Sequence, residues 1–304
     1  MNNKLTKALR VLAKTVETGS MSQAALQLNM TASAVSQQIS KLEQDAGLSL
    51  FNRSTRKQTL TEAGQIYYSS AKQLLATAEE AQRQLERLQH TPSGQLKLIA
   101  PIGFGGGLLS HPIKQLIEEF GEINIDLTLT DDPVDVIASG TDLAICIGPL
   151  TSSNLIARHL ARWNLVMCVS HKHVLAGAVI NHPDQLRDFT YVGHTSVSRR
   201  YNELSHAASG QSFELEPPRV RVNNMQAVIQ LTLDGFGYGL LPEPEVREHL
   251  KRGRLINLLP EWQMGSYDVY AVTPQRDSIA AKTQAAIANL RQWFDNVSKE
   301  ALTV

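Results

Sequence analysis

Ser33, Ser36, Gln37 and Ser40 recur at three- and four-residue intervals, so on an α-helix they share one face made only of hydroxyl and amide side chains. Groups of that kind can hydrogen-bond to base edges in a DNA major groove, and their short reach lets the helix backbone approach closely. A few residues on, Arg53, Arg56 and Lys57 crowd three cations into five positions. Cations so placed suit phosphates, which fix a protein on a duplex and make binding salt-dependent without reading sequence. Ser and Gln on a polar helix face are also what any solvated helix carries, and the basic run also suits a solvated hairpin.

Other chemistries find less support. His171 and His173 stand two apart, a spacing that puts both on one side of a strand, but no Cys, Asp or Glu accompanies them at ligand spacing, so no metal site is expected. No GxSxG occurs; Ser110-His111 before Pro112 reads as a helix start rather than a nucleophile and its base. Glu118-Glu119 reads as a solvated helix face. Gly103, Gly105, Gly106 and Gly107 do not fit the GxGxxG register of a dinucleotide site; a flexible loop with backbone N–H groups facing a cleft is the better reading, with an anion as one candidate occupant. No enzyme chemistry and no cofactor is expected. Cys146 and Cys168 sit in the apolar runs DLAICIG and NLVMCVS, as buried thiols in strands would.

The elements that must position these groups follow from periodicity. Leu5, Leu9, Leu12 and Val16 predict a helix over residues 3–17, closed by Gly19-Ser20. Ala24, Ala25 and Leu28, then Val35, Ile39 and Leu42, give two short amphipathic helices separated only by Asn29-Met30-Thr31, with Thr31 as N-cap. Two helices joined so tightly predict a helix-turn-helix whose second member enters the major groove. Leu48, Leu50 and Phe51 then anchor a two-stranded wing that returns at Gln58-Thr59-Leu60 and carries the basic residues at its tip. Thr61-Glu62-Ala63 opens a helix with no Gly after Gly64 and no Pro as far as His90, striped by Ile66, Leu74, Ala78, Leu85 and Leu88. At 1.5 Å per residue it extends roughly 42 Å, too long for one winged domain and suited to antiparallel pairing with a second copy.

After Thr91-Pro92-Ser93-Gly94 the texture changes to alternating strands and helices, which predicts an open α/β sheet. LKLIAPIG, INIDLTLTD and DLAICIGPL read as strands, DVIASG as a short helix, and NLIARHLARWNLVMCVS as a paired set of strands. RVRVNN ends at Asn223-Asn224, the entry to the helix MQAVIQLTLDG; GFGYGLLPEPEVREHL adds a strand and a helix. YDVYAVT and a closing helix over 278–298 are placed to rejoin the first half, giving two lobes joined by two crossovers. Trp163 and Trp262 are candidates for the cleft mouth, with core or edge packing as the commoner fate.

Composition bounds these readings. The chain has 304 residues, 42% apolar and 19% charged, enough for two or three domains. No apolar run could span a membrane and the N-terminal stretch has no signal-peptide core, so a cytoplasmic protein is expected. The net charge of +0 conceals an asymmetry: residues 1–60 hold 8 Lys+Arg against 3 acids, +5, which leaves 21 of the 29 basic and 26 of the 29 acidic residues, −5, for the rest. A positive end attracts a polyanion to that end.

Ser22, Ala24-Ala25, Leu28, Ser33 to Ser36, Gln38-Ile39, Leu42-Glu43, Gly47, Leu50-Phe51, Arg53 and Leu60 to Gly64 form a nearly continuous string that resembles the LysR-type bacterial transcriptional regulators. YVGH, VNNMQAVIQLTLDGFGYGLLP and DLAICIG extend the resemblance through the remainder. Gln37 departs from it, standing where many members carry Arg, and the segment around Gly121 to Ile123 is shorter than usual.

The resemblance implies an α/β fold class with an N-terminal winged helix-turn-helix and linker helix, followed by a two-lobed effector domain similar to periplasmic binding proteins. The corresponding bounds are 1–61 for the head, 62–91 for the linker, 94–163 with 268–304 for one lobe and 164–267 for the other. DNA contacts are expected from Thr31, Ser33, Ser36, Gln37, Ser40, Arg53, Arg56 and Lys57. Effector contacts are expected from Pro101, Ile102, Gly103, Phe104, Ile147, Gly148, Thr195, Ser196, Asn223 and Asn224, which also lie beyond strand ends, where open sheets hold ligands. Implied partners are a double-stranded operator with dyad-related half-sites, a small molecule such as a small carboxylate or aromatic acid, a second copy in a homodimer or homotetramer, and, as a further candidate, RNA polymerase; no membrane is implied. Rival readings are a DNA-binding protein with a purely structural C-terminal half, or a solute-binding or enzymatic α/β protein with a helical appendage.

Overall fold

A computed structural model describes residues 3–52, 59–150, 154–195, 203–274 and 279–300. The chain divides into two compact units, Met1–Arg87 and Leu88–Val304. In the first, α1 (Asn3–Thr18), α2 (Met21–Gln27) and α3 (Ala32–Ala46) enclose a core of Leu9, Val11, Leu12, Ala25, Val35, Ile39 and Leu42. Ser20 caps α2 by accepting from Gln23 N, and Thr31 caps α3 by accepting from Ala34 N. Between them Asn29 takes a left-handed φ of 51°, which Asn tolerates better than most residues and which makes the turn tight.

After α3, Gly47 (φ 68°) turns the chain and Leu50 fills the space beneath the helices. Leu48, expected as an anchor, is instead 61% exposed on the outside of that turn. An antiparallel bridge joins Phe51 to Leu60, and Asn52 holds it with bonds to Thr59 and Leu60. Arg53, Arg56 and Lys57, the expected wing tip, and Gln58, the expected start of the returning strand, lie outside the described residues. The long helix α4 runs Glu62–His90 as the periodicity predicts, and Thr61 Oγ1 accepts from Gly64 N at its start. Its stripe is uncovered: Ile66, Leu74, Leu85 and Leu88 are between 48% and 60% exposed.

The second unit is α/β. Its elements are β1 (Gly94–Ala100), a 3-10 helix over Ile102–Gly106, α5 (Ser110–Glu119), β2 (Ile123–Leu129), β3 (Leu143–Ile147), β4 (Leu155–Ser170), β5 (Tyr191–His194), β6 (Glu203–His206), β7 (Ser212–Glu214), β8 (Val220–Val222), α6 (Met225–Leu233), β9 (Tyr238–Pro242), α7 (Glu243–Lys251), β10 (Leu255–Asn257), β11 (Trp262–Gln263), β12 (Ser266–Pro274) and α8 (Ala281–Lys299). The main sheet runs β2-β1-β3-β12-β4-β9-β5-β8, with β10 also on β4. The pairs among β2, β1 and β3 and among β9, β5 and β8 are parallel, and those made by β12 and β4 are antiparallel. The returning strand and helix thus rejoin the first half, as the order of elements predicts.

Two expectations are corrected, and Trp163 and Trp262 take the commoner fate foreseen for them, core packing. NLIARHLARWNLVMCVS is one 16-residue strand, β4, rather than a pair: residues 155–164 match β12 and residues 165–169 match β9. It is amphipathic at first and buried throughout its last six residues, so the change of face pattern imitates a break. DVIASG is a turn held by Asp135 Oδ1, which accepts from Ile137 N and Ala138 N, rather than a helix. Trp163 and Trp262 are 2% and 5% exposed; Trp163 packs against Phe104 and Phe294 and donates to Ser298, while Trp262 donates to the Asn181 carbonyl. The small sheet β11-β6-β7 had no sequence signal.

Candidate functional site

On α3 the apolar and polar faces separate as the spacing predicts: Val35, Ile39 and Leu42 are buried, whereas Ser33, Ser36, Gln37 and Ser40 are exposed and so is Thr31. The Thr31 hydroxyl is engaged as the cap, 3.1 Å from Ala34 N. Glu43, further along α3, accepts from Leu50 N at 2.7 Å and from Phe51 N at 3.3 Å. Its carboxylate therefore ties the end of the helix to the root of the wing, a role without a local sequence signal because its partners are seven and eight residues away.

In the second unit, the ends of β1, β2 and β3 face His194, Met225 and Glu245 across a cavity of about 440 Å³. Its walls are mainly apolar, with Ile99, Val136, Ile145, Ile147, Tyr267 and Leu165 among them. That volume lies within the range of small-molecule sites. Asp131, just past β2, bridges the two sides: its Oδ1 accepts from Ile102 N at 3.0 Å and its Oδ2 from Asn224 Nδ2 at 3.3 Å. Asn224 also caps α6 through Ala227 N. Glu245 on α7 accepts from Gln226 Nε2 at 2.9 Å and lies so close to Gly103 that a Cβ there would stand 2.1 Å from Glu245 Oε2. Gly103, at the head of the glycine loop, thus packs directly against a carboxylate of the protein's own.

Of the expected effector residues, Pro101, Gly103, Ile147 and Gly148 line the cavity. Ile102 and Asn224 reach it through their bonds to Asp131. Phe104 does not: it is fully buried against Trp163 and Phe294. Thr195 and Asn223 are exposed beyond the lining residues, and Ser196 lies outside the described residues. Asp131, Asp132, His194 and Glu245 are additions. Asp131-Asp132 could have been found by applying the strand-end rule to β2 as well as to β1 and β3; Glu245, inside PEPEV, had no such signal.

Burial pushes the Glu245 carboxyl up to about 7, reinforced by Asp131 and opposed by the Gln226 hydrogen bond. Burial also raises the Cys146 thiol in the same wall, so it stays uncharged. For Glu245 the folded protein holds the proton more tightly than the unfolded chain, so its stabilisation is complete below the unfolded carboxyl range and is lost as pH rises through about 7. Thermal melts between pH 5 and 8 should therefore show a falling contribution in the wild type that Glu245→Gln removes. A wild-type-minus-variant difference that stays flat would contradict it. The comparison must be a difference, because burial lowers His249, whose contribution runs the opposite way. Among the described residues no group of His, Cys, Asp or Glu could hold a metal, and no helix is long and apolar enough to cross a membrane.

A helix-turn-helix with an exposed polar second helix, carried on the same chain as an α/β unit with a cleft at its strand ends, defines the class of DNA-binding regulators with an effector-binding domain. Comparison with known proteins specifies the class further. Residues 6–65 match the family model "Bacterial regulatory helix-turn-helix protein, lysR family", and residues 89–295 match "LysR substrate binding domain". The chain is 31% identical over 294 residues to the HTH-type transcriptional activator AaeR of Escherichia coli, covering 96% of this chain and 95% of that one. It also resembles oxidized OxyR of Corynebacterium glutamicum in structure (TM-score 0.74, 21% identity, 97% and 94% of the two chains) and CrgA of Neisseria meningitidis (TM-score 0.54, 26% identity, 97% and 98%). The protein belongs to the LysR family of transcriptional regulators. That family binds DNA and assembles as oligomers, and it is not a family of enzymes.

Proposed function

We propose that this regulator reads a dyad-symmetric operator through Ser33, Ser36, Gln37 and Ser40 and responds to a small molecule bound between its two lobes, 94–163 with 268–304 and 164–267. The observation that carries the ligand half is the cavity of about 440 Å³: a purely structural second unit would fill that space with side chains. Thr31 supports the reading helix as its cap, and Arg53, Arg56 and Lys57 supply phosphate contacts. RNA polymerase is the candidate further partner. Coupling requires two states of the cleft with different ligand affinity, and the Asp131–Asn224 bond across it is an element that opening would break.

The test is a salt-dependent titration onto fragmented DNA with sequencing of the bound fragments. Arg53→Ala is expected to weaken binding to all sequences alike and to reduce the salt slope by about 1, whereas Gln37→Ala is expected to relax preference at one base step with the slope unchanged. The opposite assignment of effects would overturn the roles.

The linker 62–91 supports assembly as a homodimer or homotetramer, because its apolar stripe is exposed within the single chain. Replacing Leu74 and Leu85 together by Glu is expected to shift sedimentation to a smaller species and to weaken operator binding. An unchanged sedimentation profile would remove the linker from the interface.

A further inference from the structure

The charge of the cleft is one-sided. Asp131, Asp132 and Glu245 contribute three carboxyls to its wall, and the described lining residues include no lysine or arginine; His194 is the lining group able to take a positive charge. Three donors at the cleft are engaged by the protein's own acids: Ile102 N and Asn224 Nδ2 on Asp131, and Gln226 Nε2 on Glu245. A carboxylate placed beside these acids sits among like charges in a mainly apolar enclosure, where repulsion is weakly screened. An ammonium group has the complementary needs, with three donors, no acceptor and a preference for paired carboxylates when taken out of water.

On the reading that this cleft is the effector site, we infer that the effector is an organic cation: a small amine with an apolar body, its ammonium held by Asp131, Asp132 and Glu245 and its body packed on Ile145, Ile147 and Tyr267. This differs from the small carboxylate or aromatic acid expected from the family resemblance, and it follows from side chains that come together only in the fold. Binding has a proton signature. Glu245 is partly protonated near neutrality, and a cation beside it favours the ionised form, so uptake of the amine releases a proton.

The experiment uses three probes of like size, phenethylamine, phenylacetate and 2-phenylethanol, each at millimolar concentration with the full-length protein. Thermal denaturation and calorimetry near pH 7 in two buffers of different ionisation enthalpy provide the readouts. Phenethylamine is expected to raise the melting temperature and to release protons. Asp132→Asn should weaken its binding by about tenfold, as loss of one charge-assisted contact does, and Glu245→Gln should abolish the proton release. Because Asp132 is exposed, its variant keeps the test open should Glu245→Gln perturb folding. Stabilisation by phenylacetate or 2-phenylethanol but not by the amine, or by none of the three, overturns the cation. Operator binding by the same preparation is judged separately, so a failed ligand class and a failed regulator reading give different results.

Discussion

Gly64→Ala is expected to unfold the DNA-binding head and abolish operator binding while leaving the second unit's melting transition in place. Inside a helix this substitution ordinarily stabilises by roughly 0.5–1 kcal/mol, because alanine loses less conformational freedom. Here packing decides the sign. A Cβ at Gly64 would stand 2.0 Å from the Leu50 carbonyl oxygen and 2.8 Å from Leu60 Cδ2. The first of these is backbone at a joint that cannot shift alone. Leu50 O accepts from Thr61 N at 3.0 Å, Leu50 N donates to Glu43 at 2.7 Å, and Thr61 Oγ1 donates to Ser49 O at 2.7 Å. Moving Leu50 aside disturbs the end of α3, the root of the wing and the start of α4 together. Overpacking of this kind costs about 3 kcal/mol, a large fraction of what a head this small can hold. Two-transition calorimetry checks it. A head that melts at or above the wild-type temperature would show that the α4 entry is not in contact with Leu50.

That joint shows where the sequence was legible. Thr61 to Gly64 stood out as part of a motif, and Thr61 as a helix entry, because capping is local and its signal spans only three residues. The helices α1 to α4 and α8 were likewise readable from apolar spacing. What the spacing could not convey is why Gly64 carries no side chain: its neighbour Leu50 lies 14 positions earlier, at a contact made only when the bridge Phe51–Leu60 closes.

The same distinction separates the two candidate sites. The reading face of α3 is a local pattern, four residues on one helix with their opposite face buried, and the structure places all four outward. The cleft is not local. Asp131 and Glu245 are 114 positions apart, and no periodicity links the end of β2 to the start of α7. Strand ends identified Pro101, Gly103, Ile147 and Gly148 because the rule asks only where a strand stops; it could not predict that Phe104 turns into the core, which depends on Trp163 and Phe294 from β4 and α8. The strand-end rule, applied to β2, reaches Asp131 and Asp132; that Glu245 joins them in one wall belongs to the non-local part.

Arg247→Ala is expected to destabilise the second unit by about 3–5 kcal/mol, the effect of leaving one member of a buried ion pair without its partner. Arg247 Nε and Nη2 donate to both Glu243 oxygens at 2.7 and 2.6 Å, with the two side chains only 8% and 7% exposed, and Nη2 also donates to the Val297 carbonyl on α8 at 2.9 Å. Truncation strands a carboxylate and a carbonyl together. The pair is not needed for stability as such: replacing both residues, Glu243→Leu with Arg247→Met, should be close to neutral, since desolvation of two charges nearly offsets their attraction. Urea denaturation of the single and double variants checks this, and a double variant as unstable as the single one would show that the Val297 bond dominates. The functional consequence distinguishes the two further. Glu245 lies between the paired residues on α7, so the bond to α8 holds the helix that presents the cleft carboxyl. The double variant, stable but without that bond, should keep its melting temperature while losing part of its ligand-induced shift, because a loosened α7 must be ordered again on binding.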